Sequence, residues 1–208
     1  MSTAISERPL QSVAAEADAI ARIEAVLPQT QCRQCGFDGC SQYARAIVCG
    51  EAAVNRCAPG GRAGVEKLAA LTGQSANGVD PEYGSEQPFA VARIRARECI
   101  GCALCAAACP VEAVCGVPKH LFGILESECT GCGLCVCACP VSAIEMQPVQ
   151  GRIWTSACAA AAKKRYEAAN VRRRARKLAQ LTQNSFQADD KAAILAAVLG
   201  RAKALAKR

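Results

Sequence analysis

Apolar residues recur at helical spacing in three stretches before residue 72 and again after residue 155, and between these blocks they fall into short runs. Over residues 12–27, Val13, Ala17, Ile20, Val26 and Leu27 lie near one face, with Glu16, Asp18 and Glu24 elsewhere, which predicts an amphipathic helix. Pro28 ends it, since it has no N–H to continue the ladder. A loop over residues 30–40 leads to a short helix at 41–49, closed by Gly50. The turn Asn55-Arg56-Cys57-Ala58-Pro59-Gly60-Gly61 opens a third helix at about 63–71. Residues 73–90 are rich in Gly, Ser, Asn, Asp and Pro and poor in aliphatics, a linker composition. Beyond residue 155 there is no Pro, and the periodicity predicts two helices, about 156–182 and 189–206, joined near Asn184-Ser185. The second gathers Ile194, Leu195, Val198, Leu199, Ala202 and Leu205 on one face. Asp189 and Asp190 stand at its start and Lys207 and Arg208 at its end, as the helix dipole favours.

Between the linker and the tail a cysteine pattern is written twice. Cys99, Cys102, Cys105 and Cys109-Pro110 recur thirty residues on as Cys129, Cys132, Cys135 and Cys139-Pro140, and Pro110-Val111-Glu112-Ala113-Val114 matches Pro140-Val141-Ser142-Ala143-Ile144. The repeat predicts two similar half-modules with pseudo-two-fold symmetry, each a short strand, a cysteine loop and a short helix. Three thiolates at Cys-x-x-Cys-x-x-Cys spacing converge on one face of a cubane, and Gly101 and Gly131 let backbone N–H groups approach its sulfides. Two [4Fe–4S] clusters fit this spacing better than a pair of zinc sites, which do not usually show three cysteines plus one before a proline. In two-cluster proteins of this kind the last cysteine of each run binds the other cluster. That assigns Cys99, Cys102, Cys105 and Cys139 to one cluster, and Cys129, Cys132, Cys135 and Cys109 to the second.

Upstream, Cys32, Cys35, Cys40 and Cys57 offer four more thiolates, three on a Gly-bearing loop and one from a later turn. By spacing alone they suit a zinc ion as well as a cluster. The stretch from Ile23 to Cys40, with Asn55-Arg56-Cys57-Ala58-Pro59-Gly60-Gly61, resembles the RnfB/RsxB family, the B subunits of Rnf-type electron transport complexes. The order of modules matches too, and the likeness covers about residues 16–150. It implies a third [4Fe–4S] cluster on Cys32, Cys35, Cys40 and Cys57. It also implies a relay of electrons between reduced ferredoxin and NAD(H) in a membrane complex coupled to ion movement, with other Rnf-type subunits as partners. The expected architecture is α+β: a helical four-cysteine domain with an N-terminal helix at 1–72, a linker at 73–90, a two-cluster ferredoxin-type domain at 91–150 and a basic helical tail at 151–208.

Sixteen cysteines without an apolar signal core at the N-terminus suit thiolate ligands in a reducing compartment better than a disulfide scaffold. The longest apolar run, Ala192 to Leu199, is far too short to span a bilayer. Members of the family begin with a membrane anchor, and none is expected here. Residues 151–208 hold 14 Lys and Arg against 3 Asp and Glu, a charge of +11, while residues 1–150 carry −4. Such a tail is expected either to dock on anionic lipid or an acidic subunit, at the cytoplasmic face of the inner membrane, or to pack as a solvated helical hairpin on the body. The chain therefore reads either as a subunit of such a complex or as a free-standing polyferredoxin serving dedicated reductases.

The remaining candidates are weaker. Cys49, in an apolar helical context, reads as a small buried residue, with a lesser claim to replace Cys57 as ligand. Cys137 should point away from both clusters, and Cys115 and Cys158 lack partners at useful spacing. His120, the single histidine, reads as a surface residue. Arg172-Arg173-Arg174 has only Tyr166 as an aromatic neighbour, so nucleic-acid stacking has little support. No dinucleotide fingerprint, P-loop or Ser/His/Asp set is present, so no catalytic site, flavin or nicotinamide is expected on the chain itself.

Overall fold

In the computed structural model, which describes residues 10–75 and 77–205, the chain divides into two compact units, one ending at Tyr166 and the other beginning at Glu167. The first unit opens with three helices: α1, Leu10–Val26; α2, Cys40–Val48; and α3, Gly61–Thr72. Tyr43, Ile47, Val54 and Leu68 are buried among them, joined by Ile23 of α1 and by Leu27 just past its end. Ala17, expected on the inner face of α1, is exposed, and Ile23 is the residue that turns inward. The Tyr43 hydroxyl donates to Ala53 O at 2.8 Å and accepts from Arg56 N at 3.1 Å, so the buried ring has its polar end paired. Gly73 ends α3 in the left-handed region, where glycine carries no Cβ penalty.

The segment after α3 lies on this helical module. Asp80 N donates to Asn55 O, the Arg56 guanidinium sits 4.8 Å from the centroid of the Tyr83 ring, and the Glu86 carboxylate accepts from Arg62 N at the start of α3.

Six short elements follow: β1, Ala90–Ile94; α4, Leu104–Ala108; β2, Val114–Cys115; β3, Gly123–Ile124; α5, Leu134–Cys137; and β4, Ile144–Pro148. β1 pairs antiparallel with β4, from Ala90 opposite Pro148 to Ile94 opposite Ile144, and β2 pairs antiparallel with β3. Val91, Val111, Phe122 and Ile144 pack between these strands and the cysteine loops. The core is small because the two sheets have two strands each, which leaves the space between them to the thiols.

The tail departs from expectation. A single helix, α6, runs Ser156–Leu205, with no break at Asn184-Ser185. Neither Gly nor Pro interrupts it before Gly200, and Asn and Ser cost a helix only a few tenths of a kcal/mol each, too little to stop one. Within the second unit Val171, Leu178 and Leu181 are exposed, as are Leu195, Val198 and Leu199 of the expected apolar face. The side chains of Ile194, Ala202 and Leu205, and residues Lys207 and Arg208, lie outside what the structure describes. Among the described residues no helix is long and apolar enough to cross a membrane.

Candidate iron–sulfur sites

The repeat's cysteines gather across the halves. Cys99, Cys102 and Cys105 line one hollow together with Cys139, flanked by Ile94, Ile100, Phe122 and Ile144, with about 310 Å³ of space outside atoms, its open mouth included. Cys129, Cys132 and Cys135 line a second, of about 320 Å³ on the same measure, together with Cys109 and flanked by Val111, Val114 and Ile124. Each run bends around its cavity by left-handed residues at matching places. Gly101 and Gly131 lie at φ +68° and +72°, and Ala103 and Gly133 start the short helices at +65° and +72°. The last cysteine of each run is also held alike: Ala113 N donates to Cys109 Sγ and Ala143 N to Cys139 Sγ, both at 3.2 Å.

The upstream four form a third group. Cys35, Cys40 and Cys57 are buried and Cys32 is half-buried. The loop that carries them is unusual. Gln29, Gln31 and Arg33 alternate into the left-handed region at φ +56°, +55° and +64°. Two buried carboxamides hold it there: Gln29 Nε2 donates to Glu24 O, Gln31 Nε2 to Gln29 Oε1, and Gln31 Oε1 accepts from Cys40 N at 3.0 Å. Of this support only the cysteine spacing was visible in the sequence.

The donor chemistry suits an iron–sulfur cluster in all three groups. Burial is the main cause that pushes the Cys40 and Cys135 thiols up to about 12 and Cys132 to about 11, and it raises Cys35, Cys57 and Cys105 as well. Backbone N–H groups offset part of this by donating to sulfur, from Phe37 to Cys35, Gln31 to Cys40, Gly60 to Cys57 and Leu134 to Cys132. Buried sulfurs ringed by amide donors are prepared for a negatively charged ligand set that metal keeps deprotonated. A lone zinc ion, with Zn–S bonds of about 2.3 Å, needs its sulfurs closer together. Among the described residues no three Cys, His, Asp or Glu side chains close on a point that could hold one metal ion. The eight cysteines of the repeat, spread around two hollows, match polynuclear clusters better.

The other cysteines stand apart. Cys49 is exposed rather than buried, because it is the C-cap of α2, one step past the last turn packed inward. Cys115 and Cys137 are exposed. Cys158 is half-buried at the start of α6, where a hydrogen bond from the Thr155 hydroxyl lowers its thiol. His120 is exposed, its Nδ1 3.2 Å from Pro118 O.

Comparison with known proteins matches these modules in order. A family model described as "Putative Fe-S cluster" covers residues 27–59, and a 4Fe-4S dicluster domain covers residues 92–146. A protein of Azoarcus sp. (strain BH72), named as the B subunit of an ion-translocating oxidoreductase complex, is 54% identical over 134 residues, 64% of this chain and 73% of that one. The chain belongs to this family of ion-translocating oxidoreductase B subunits. The B subunits of Alkalilimnicola ehrlichii and Thiobacillus denitrificans are 54% and 52% identical over 130 and 104 residues, 62% and 50% of this chain and 69% and 55% of theirs. The chain is an iron–sulfur electron-transfer protein with a 4Fe-4S dicluster module, built of helices and small sheets.

Several residues that shape this family member gave no sequence signal. Trp154 stacks on Phe89, ring centroids 5.0 Å apart, and its Nε1 donates to Pro28 O at 2.8 Å. Lys163 pairs with Glu24 at 2.7 Å. Arg165 Nε lies 3.0 Å from Glu128 Oε2, an ion pair in which the N–H does not point along a hydrogen bond. Arg152 donates to Glu126 O and Ser127 O, just ahead of Cys129, and lies over the Phe89 ring. Thr130 Oγ1 donates to Thr30 O at 3.0 Å. Together these tie the Cys32 loop, the dicluster module and the beginning of α6 into one body.

Proposed function

We propose that the chain holds three [4Fe–4S] clusters, one on Cys32, Cys35, Cys40 and Cys57, one on Cys99, Cys102, Cys105 and Cys139, and one on Cys129, Cys132, Cys135 and Cys109. It relays electrons between reduced ferredoxin and NAD(H) within a membrane-associated, ion-translocating Rnf-type complex. The observation that carries this reading is the grouping of the last cysteine of each run with the first three of the other, around hollows lined by aliphatic side chains. Each cluster, when bound, supplies a one-electron couple. The chain's own residues do the rest. The crossed thiols pin the two halves, which we take to be related by pseudo-two-fold symmetry. Amide N–H groups stabilise the thiolates, and Phe122, Ile144, Val111 and Val114 exclude water. Anaerobic purification should give about twelve iron and twelve sulfide per chain, with reduced [4Fe–4S] signals in EPR. A yield near eight iron with bound zinc would refute the N-terminal cluster.

The reading extends to the tail. Exposed Arg172, Arg174, Arg176 and Lys177, with exposed Val171, Leu178 and Leu181, give the second unit a cationic surface carrying aliphatic side chains. That surface docks on an anionic membrane at its cytoplasmic face. Truncation after Tyr166 keeps the residues that tie α6 to the first unit. The full chain should sediment with vesicles rich in phosphatidylglycerol, less so in high salt, and the truncated chain should stay in the supernatant.

A further inference from the structure

One side chain touches two cysteine loops. Thr130 follows Cys129 directly and is 2% exposed. Its Oγ1 donates to the carbonyl of Thr30, two residues before Cys32. A short polar bridge therefore runs from the loop between Cys129 and Cys132 to the backbone leading into the Cys32/Cys35/Cys40/Cys57 group. Trp154 and Lys163 hold the neighbouring Pro28 and Glu24, but from outside the cysteine loops. At the matching position of the first run stands Ile100, which is 60% exposed and has no group to donate. Cys102, two residues on, is exposed as well.

Resting on the three-cluster reading above, we propose that Thr130 is a positioning residue coupling two of the three sites. It makes the Cys109/Cys129/Cys132/Cys135 site the middle of the relay. The Cys32/Cys35/Cys40/Cys57 site joins it on one side, and the Cys99/Cys102/Cys105/Cys139 site forms the outer end that meets solvent. The physical ground is geometric. A buried hydrogen bond fixes the spacing of the loops it joins and keeps water out of the gap. Only the second run has such a bridge at this place, so the two halves of the repeat are expected to differ in how closely they couple to the N-terminal site.

The test uses the anaerobically purified full chain with its clusters, comparing wild type with Thr130→Val and Thr130→Ser by EPR of the fully reduced protein. Valine keeps the volume and removes the hydroxyl, while serine keeps the donor. The expected result is a weaker spin–spin interaction with the N-terminal centre in Thr130→Val, regained in Thr130→Ser. An unchanged interaction in Thr130→Val that retains about twelve iron overturns the proposal. So does a change that serine fails to rescue, since that reports packing alone. The order of sites is tested separately, whether or not the valine variant loads fully. Spin–spin interaction involving the N-terminal centre should survive in Cys139→Ser and vanish in Cys109→Ser, and the reverse overturns it. A wild-type yield near eight iron overturns the three-cluster reading and this proposal together, whereas the other failures leave that reading standing.

Discussion

Directly after the first cysteine of each run the repeat places Ile100 in one half and Thr130 in the other, one 60% exposed and one 2% exposed. The residue just before each first cysteine diverges in the same way. Glu98 pairs locally with Arg95, three residues back, whereas Glu128 pairs with Arg165, far along the chain. The covers of the paired glycines differ too. A Cβ on Gly101 would meet the backbone of His120, in an exposed loop, and one on Gly131 would meet Ala90 O, in β1. A duplicated motif has thus been given two environments. The second run is held by parts of the chain outside the dicluster module and faces inward, and the first is held from within that module and faces out. For an electron carrier this division has a use, since one end must be open to exchange and the other joined to an internal path.

The largest test of the contrast removes one terminal cysteine at a time. Cys109→Ser should cost the inward site its cluster and Cys139→Ser the outward one, each lowering the yield by about four iron of about twelve. Because the sites differ in exposure, the cluster left in Cys109→Ser should bleach faster in air than the dicluster cluster left in Cys139→Ser. Iron analysis and absorbance against time read both. Loss of the cluster in the cysteine's own half would break the crossed arrangement and with it the comparison.

The paired glycines come next. Gly101 and Gly131 both lie in the left-handed region, where a side chain costs roughly 1–2 kcal/mol. The added Cβ would also stand 2.8 Å from His120 N and O in one case and 2.7 Å from Ala90 O in the other. The loop around His120 can retreat. Ala90 cannot, because β1 is bonded along its length to β4 and Phe89 O accepts from Val149 N. Gly131→Ala should therefore lower the thermal midpoint of the loaded protein more than Gly101→Ala. Equal losses would mean that the outward loop is as rigid as the inward strand.

How much of this was legible beforehand depends on the range of the interaction. The two cysteine runs could be read because their spacing is local, within eleven residues each. The helices α1 to α3 could be read for the same reason, from period and from Pro28 and Gly50. What α1 meets could not, since periodicity marks an apolar face without naming its partner, and Ala17 and Ile23 exchanged places as a result. Cys49 looked internal from its neighbours Ile47 and Val48, but the helix ends before its side chain can turn inward. The clamps at Trp154, Lys163 and Thr130 join residues 100 or more positions apart, and no local pattern records them. The tail's periodicity suggests a join near Asn184-Ser185, although neither residue is a strong enough breaker.

A smaller effect is expected at Trp154, which belongs to the inward side of the comparison. Trp154→Phe keeps an aromatic ring over Phe89 and removes the N–H that serves Pro28 O, a loss of about 1 kcal/mol. The consequence should be local. Proteolysis should open the Cys32 loop sooner, while the outward site keeps its wild-type rate of bleaching. If both sites loosen together, the two halves are less independent than their contacts indicate.

The smallest effect belongs to the outward half, in the fan of bonds around Arg95. Its guanidinium donates to Glu98 at 2.6 and 2.8 Å, to Glu145 at 3.0 Å and to Ser142 O at 2.6 Å, which ties the residue before Cys99 to β4. The Glu98 carboxyl is held below its ordinary value chiefly by the Arg95 hydrogen bond, and Glu145 by the Gln147 carboxamide and then by Arg95. A depressed carboxyl contributes stability that is present above its ordinary value and is lost as the pH falls through the lowered one. The stability gap between wild type and Arg95→Gln should therefore be widest near neutral pH and narrow below the usual carboxylate range. All three side chains are exposed, so the gap should be small, and added salt should reduce it further. Thermal melts across pH at two ionic strengths read it. The equivalent scan of Arg165→Gln should respond less to salt, since that pair is more buried, with about a third of each side chain exposed. A matching salt response would show that the second run is no better enclosed than the first.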